Sequence, residues 1–96
     1  MVKIYDKASW HIDCGEDEKT VIDRFKAIFD FLNLKELLNE DGKELFDLGI
    51  DNSVSIHENL VTDKGKILLD KVFDDILKIE IKDIGTVMEK TFSEIN

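Results

Sequence analysis

The segment DEKTVIDRFKAIFDFL, residues 17–32, decides the fold because its apolar side chains recur at helical spacing. They fall three and four positions apart, so they form one stripe along a helix. Acidic residues at 16–18 lie where negative charge favours a helix N-terminus. The segment therefore predicts a helix from about Asp17 that forms the spine of the core. Its apolar stripe consists of Val21, Ile22, Phe25, Ile28, Phe29 and Leu32.

Three further segments carry helix signals. A short helix is predicted near 40–48, with Asn39 as N-cap and Gly49 as the stop. Thr62 or Asp63 can cap a third helix, and Asp83 a fourth. Residues 77–82 alternate apolar and charged side chains, which leaves both a strand and an extended connector open. The apolar positions of the last two helices are Ile67, Leu68, Leu69, Val72, Phe73, Ile76 and Leu77, then Ile84, Val87, Met88, Phe92 and Ile95.

Two short segments have the period of a strand. Trp10, Ile12 and Cys14 alternate with polar residues, which predicts an extended N-terminal arm. Val54 and Ile56 alternate in the same way, and this second strand is expected to pair with the arm. The predicted fold class is mostly α (α+β), with three or four packed helices and a small N-terminal β element.

Size and charge limit the class of protein. A chain of 96 residues with 43% hydrophobic residues fits a single globular domain, residues 1–96. It contains no apolar run of the roughly 20 residues that a membrane helix needs, no secretory signal and one cysteine, which predicts a cytoplasmic protein without disulfides. The net charge of −9 argues against nucleic acid or an anionic membrane as partner and favours a basic protein.

The negative charge is concentrated in residues 36–60, which hold seven acids against Lys43 alone. A regional excess of this kind can steer a cationic partner and raise its association rate. The alternative is a face that only keeps an acidic protein in solution. The sequence predicts a partner-binding surface formed by Glu40, Asp41, Glu44, Asp47, Asp51 and Glu58.

Candidate chemical groups are sparse. His11, Cys14 and His57 are possible metal ligands, but residues 11 and 14 point to opposite faces of a strand and no second cysteine completes a site. Cys14 has no surrounding signature of a cysteine enzyme, so a buried structural cysteine is expected. We predict neither a metal nor a cofactor.

Hydrolase chemistry has no better support. Asp51, Ser53, Ser55 and His57 supply the residue types of a serine triad, but bunched within seven residues they match no known triad arrangement. Acid pairs such as Asp74 with Asp75, or Glu44 with Asp47, are expected by chance among 22 acids and are interpreted as surface. No catalytic residue is predicted.

The string YDKASWH, residues 5–11, is the most distinctive in the chain. Trp10 is expected to anchor the N-terminal arm on the core. The string, followed by Gly15, resembles the opening of a group of small bacterial proteins of uncharacterised function, in which a Phe-Pro precedes the helix. Here the Phe-Pro is absent.

Small acidic proteins of this kind resemble, as a class, the immunity proteins paired with bacterial polymorphic and contact-dependent growth-inhibition toxins. That resemblance implies a monomeric, non-enzymatic inhibitor whose partner is a cognate toxin, and it carries over no binding residues. One alternative is a ligand-binding or enzymatic domain with a pocket around Trp10, His11, Cys14 and His57. Another is a regulatory domain that self-associates through exposed apolar surface.

Overall fold

Five α-helices and one two-stranded sheet make up the structure, a computed structural model that describes residues 2–95. Helices account for 68% of it, and four of them have seven or more residues, which confirms the predicted fold class. In chain order the elements are β1 Ile4–Lys7, α1 Ala8–Asp13, α2 Glu18–Leu34, α3 Glu40–Leu48, β2 Ser55–His57, a 3-10 turn Glu58–Leu60, α4 Asp63–Ile76 and α5 Ile81–Ile95.

Side-chain caps start three of the helices, and two of these caps were predicted. Thr62, one of the two predicted alternatives, accepts a hydrogen bond from the Gly65 amide of α4, and the predicted cap Asn39 precedes α3. At the start of α2 the Asp17 side chain accepts from the Thr20 amide, where the sequence had predicted only a favourable negative charge. Local capping chemistry therefore fixes these helix starts.

The α2 helix is the predicted spine of the core. Phe25, Ile28, Phe29 and Leu32 are buried along one face, and the helix packs against α1, α3 and α5. The buried apolar side chains of all elements form one continuous cluster. Burial of such side chains at about 1.5–3 kcal/mol each makes this face the main source of stability.

The β element lies earlier in the chain than predicted. β1 pairs antiparallel with β2, with Ile4 opposite His57 and Lys7 opposite Ser55, and an irregularity lies between Ile4 and Asp6. The predicted strand at 10–14 is wrong, because Ala8–Asp13 is helical. Six residues are too few to separate the two periods, and the buried Ala8 with the half-buried Ile12 four positions later form the inner face.

Two predictions that depended on that strand also fail. Cys14 is exposed instead of buried, since it follows the last turn of α1. Trp10 remains 50% exposed and points away from the core, so it does not anchor the arm. Tyr5 performs that role instead: its ring packs against Phe73 of α4 at 5.7 Å between centroids.

Residues 77–82 form neither of the two predicted alternatives, but a turn that enters α5 at Ile81, two residues before the predicted cap Asp83. Arg24 of α2 stabilises this turn. Its Nη1 donates to the carbonyl oxygens of Ile76 at 2.8 Å and Ile79 at 3.0 Å. The last carbonyl groups of a helix have no donor within the helix. Arg24 therefore supplies the hydrogen bonds that the carbonyls at the end of α4 and in the following turn need.

Replacing Arg24 with methionine is expected to lower the free energy of unfolding by about 1.5–3 kcal/mol, the range for hydrogen bonds from a charged donor. Methionine keeps an apolar stem but removes both donors. Lys26→Met, at an exposed position of the same helix, is the matched control. Urea unfolding of the two variants measures the effect, and equal midpoints would contradict this role of Arg24.

Candidate functional site

The α3 helix is the framework of the predicted acidic surface, and its position is fixed at the start. The Asn39 side chain accepts from the Gly42 amide at 2.9 Å, while its Nδ2 donates to the Asn59 carbonyl at 2.7 Å. Gly42 packs directly against the carbonyl oxygen of Leu60. The helix is thus held against the 3-10 turn, and it ends at Gly49 with a positive φ of 103°, as predicted.

The outward face of α3 carries a row of carboxylates. Gly42, Leu45 and Phe46 face the protein, which leaves Glu40, Glu44 and Asp47 in line on the opposite side at helical spacing. Asp41 flanks this row and is also exposed. We call Glu40, Asp41, Glu44 and Asp47 the acidic face.

The acidic face carries more negative than positive charge, since only Lys43, three residues after Glu40 and four before Asp47, adds a cation to the same helix α3. Within residues 2–95 no ion pair involves any of its four carboxylates. Some carboxylates elsewhere on the surface do have cationic partners, such as Asp23 with Lys19 at 2.8 Å and Glu89 with Lys35 at 3.0 Å, whereas in the described residues others, such as Asp74 and Asp75, form no ion pair either. Four like charges on one short helix repel one another, and an added cationic surface would relieve that repulsion.

An exposed leucine lies at the edge of the acidic face. Leu48, in the last turn of α3, is 80% exposed and occupies the same side of the helix as Asp41 and Glu44. Leu48 was predicted from the sequence to continue the apolar stripe of Leu45 and Phe46, and not to be a site residue; its exposure corrects that prediction. A helical projection of residues 40–48 would have found it, because Leu48 falls away from the side defined by Leu45 and Phe46.

The other two predicted binding residues have different surroundings. Asp51 is exposed, but it accepts hydrogen bonds from the hydroxyl and the amide of Ser53, which lower its pKa. Glu58 is half-buried and lies 3.9 Å from Lys66. Asp51 therefore organises its own turn, and Glu58 belongs to a cluster of mixed charge and not to the acidic face.

That mixed cluster joins β1 to α4. Asp70 accepts hydrogen bonds from Lys3 Nζ at 2.8 Å and the Tyr5 hydroxyl at 2.6 Å, and these bonds lower its pKa to about 2. Burial and the bond to Asp70 raise the pKa of Tyr5, which stays a neutral donor. The cluster pairs its charges internally, so it is a structural contact.

None of the grooves described within residues 2–95 is lined by Trp10, His11, Cys14 or His57, the residues of the alternative pocket. A shallow groove of about 480 Å³ lies between Lys7, Ser9, Ile12 and Asp13 on one side and Asn52, Ser53 and Ser55 on the other. His57 lies in β2, and its Nδ1 has no hydrogen-bond partner in the described part of the chain. These grooves therefore give the alternative pocket no geometric support.

His11 contacts two carboxylates. Its Nε2 lies 2.6 Å from Asp6 Oδ2 and its Nδ1 lies 2.6 Å from Glu16 Oε2. Both ring nitrogens are therefore occupied, and neither is available as a base or a metal ligand in this conformation. Among residues 2–95, no group of three His, Cys, Asp or Glu side chains has an arrangement that could hold a metal ion.

The described residues also show no hydrogen-bonded serine triad among Asp51, Ser53, Ser55 and His57. Ser53 Oγ donates to Asp51 at 2.6 Å, and in the described chain no hydrogen bond joins His57 to Ser53 or Ser55. A nucleophile without a neighbouring base has no activation. The surface that the structure does assemble is the acidic face of α3.

Comparison of the chain with protein-family models, curated proteins and solved structures found no match. No helix within residues 2–95 combines the length and apolar character needed to cross a bilayer. The geometry and charge of the surface are therefore the features that bear on function.

Proposed function

We propose that the protein is an immunity protein that binds a basic toxin domain through the acidic face of α3 and blocks it. The observation that carries this proposal is the row of exposed carboxylates without cationic partners on a helix whose start is fixed by Asn39 and Gly42. Four fixed negative charges present a preformed surface to a cationic site. Such charges accelerate encounter and select against acidic partners.

Leu48 supports a protein partner over a small cation. A leucine that is 80% exposed beside charged residues offers an apolar contact that a protein surface can cover and an ion cannot. Interfaces combine such apolar contacts with a charged, solvent-accessible rim. The acidic face and Leu48 together fit this arrangement, with the partner supplying Lys or Arg side chains around an apolar depression.

The proposal is tested by neutralising the acidic face. One variant combines four substitutions that remove the charges and keep the side-chain shapes: Glu40→Gln, Asp41→Asn, Glu44→Gln and Asp47→Asn. The toxin is first captured from producing cells with the tagged wild-type protein and identified by mass spectrometry. We expect the combined variant to bind that toxin about 4- to 1,000-fold more weakly at low salt, from roughly 0.2–1 kcal/mol for each of the four exposed charges.

The matched control carries the same change in net charge elsewhere. It replaces four exposed acids of other helices by asparagine: Asp30 of α2, Asp74 and Asp75 of α4, and Asp83 of α5. This control should bind as the wild type does, apart from a small loss that high salt removes. If the acidic-face variant still protects cells that express the toxin, or if both variants lose binding equally, the proposal is wrong.

The proposed inhibitor acts as a monomer in a one-to-one complex. Light scattering of the free protein and of the complex measures both masses. A free protein of twice the chain mass would favour the self-association alternative.

A further inference from the structure

Asp6, His11 and Glu16 form a three-residue bridge, which we call the His11 bridge. Asp6 lies in β1, His11 in α1, and Glu16 in the connection between α1 and α2. The imidazole joins the two carboxylates through contacts of 2.6 Å on both sides. The His11 bridge therefore links β1 to the segment between α1 and α2.

The chemistry of imidazole couples this geometry to a proton. A neutral imidazole carries one N–H and one lone pair, so it can donate to only one of the two carboxylates. The other contact would place a lone pair against an anionic oxygen. Both short contacts form together only when His11 is the imidazolium ion, which donates from each nitrogen.

The two carboxylates differ in their access to water. Asp6 is 5% exposed, and its Oδ1 also accepts from the Lys7 amide at 2.9 Å. The Glu16 side chain is 54% exposed. An unpaired buried carboxylate costs far more than an unpaired hydrated one, so a neutral His11 keeps its bond to Asp6 and loses Glu16.

The charged groups that act on His11 are these two carboxylates, one from β1 and one from the connection. From α2, Phe25 presents a neutral ring at 6.4 Å between centroids. Burial acts to lower the pKa of His11, but the hydrogen bonds to Asp6 and Glu16 outweigh it, and the pKa is raised above its ordinary value of 6.5.

We infer that the His11 bridge is a pH-sensitive switch in the connection between α1 and α2. With His11 protonated, Glu16 is bound and the connection is held against β1. When His11 loses its proton to solvent, the Glu16 carboxylate is released from the imidazole, while the amides of Cys14 and Glu16 keep their hydrogen bonds to the His11 carbonyl at 3.2 and 3.1 Å. The three groups then carry a charge of −2 in place of −1. This inference is independent of the proposed function.

The direction of the effect on stability follows from the two states. The pKa of His11 is higher in the folded protein than in the unfolded chain, so the bridge stabilises the fold fully below the unfolded pKa of about 6.5. This contribution is lost as the pH rises through the folded pKa. The switch therefore closes on acidification and opens as the pH rises through the folded pKa of His11.

The test is an NMR titration of the purified wild-type chain from pH 5 to 9, following the His11 ring and the backbone amides of Gly15 and Glu16. We expect a His11 midpoint above 6.5 and amide shifts with the same midpoint. In Glu16→Gln the His11 midpoint should fall and the amide transition should lose most of its amplitude. Asp13→Asn, an exposed acid of α1 without a described contact to the imidazole, is the matched control and should titrate as the wild type does.

Because Glu16 is exposed, its replacement is expected to fold, and the amide spectrum checks this directly. Two results would overturn the inference: a wild-type His11 midpoint at or below 6.5, or amides of Gly15 and Glu16 that do not follow the His11 titration. An equal downward shift in Glu16→Gln and Asp13→Asn would also overturn it, since general surface charge would then explain the midpoint.

Discussion

Gly42→Ala is expected to lower the free energy of unfolding by about 3 kcal/mol, although alanine is the better helix former. A Cβ at this position would overlap the carbonyl oxygen of Leu60 and lie 3.1 Å from the Leu38 side chain. A backbone oxygen cannot move aside by a change of rotamer. The strain must separate α3 from the 3-10 turn, so the substitution should also displace the acidic face.

Gly85→Ala is the matched control, because it introduces the same methyl group into α5 where nothing lies within 4 Å. There the alanine should stabilise the helix by about 0.5–1 kcal/mol. Thermal unfolding separates the two variants, with Gly42→Ala melting on the order of 10–20 °C below the wild type for a domain of this size. If the Tm of Gly42→Ala equals or exceeds that of the wild type, the inference of a close contact between α3 and Leu60 is wrong.

The elements that the sequence predicted well are those whose signals are local. The helix start at Asn39 and the stop at Gly49 follow from side-chain capping and a positive φ, and both are set by neighbours within a few residues. The stripe of α2 is long enough for its period to be unambiguous. Short segments with non-local partners, in contrast, were predicted unevenly: the strand around Ile56 was right, but the segments at 4–14 and 77–82 were misassigned.

The N-terminal segment illustrates this limit. β1 forms because it pairs with residues about fifty positions later in the chain. No pattern in the sequence of residues 4–7 predicts that pairing. Over so short a span, the spacing of Trp10, Ile12 and Cys14 fits a strand as well as the observed helix. The turn before α5 depends in the same way on Arg24, which reaches it from another helix.

The candidate site was predictable in its main part. The excess of acids in residues 36–60 identified the carboxylates of α3, because a helix displays residues at 40, 44 and 47 on one side whatever it packs against. The surroundings of Glu58 were not predictable, since its partner Lys66 comes from α4. Whether the acidic face binds a toxin stays a prediction.

Asp6→Ala is expected to lower the free energy of unfolding by about 2–4 kcal/mol at pH 6, below the 3–5 kcal/mol typical when one partner of a fully buried pair is removed. His11 is partly exposed at 23%, so water can solvate part of the charge that loses its partner. The substitution also leaves the Lys7 amide without its acceptor and opens a space beneath α1.

Asp6→Asn separates charge from shape in this prediction. Asparagine keeps an acceptor for the Lys7 amide and fills the same volume, but it cannot pair with an imidazolium. Its cost should therefore lie between those of Asp6→Ala and Asp13→Asn, and the exposed Asp13 control should be near neutral. Urea unfolding at pH 6 and pH 9 measures all three. Above the folded pKa of His11 the imidazole is neutral, so the difference in free energy of unfolding between wild type and Asp6→Asn should narrow as the pH rises. A difference independent of pH would mean that Asp6 acts through packing alone.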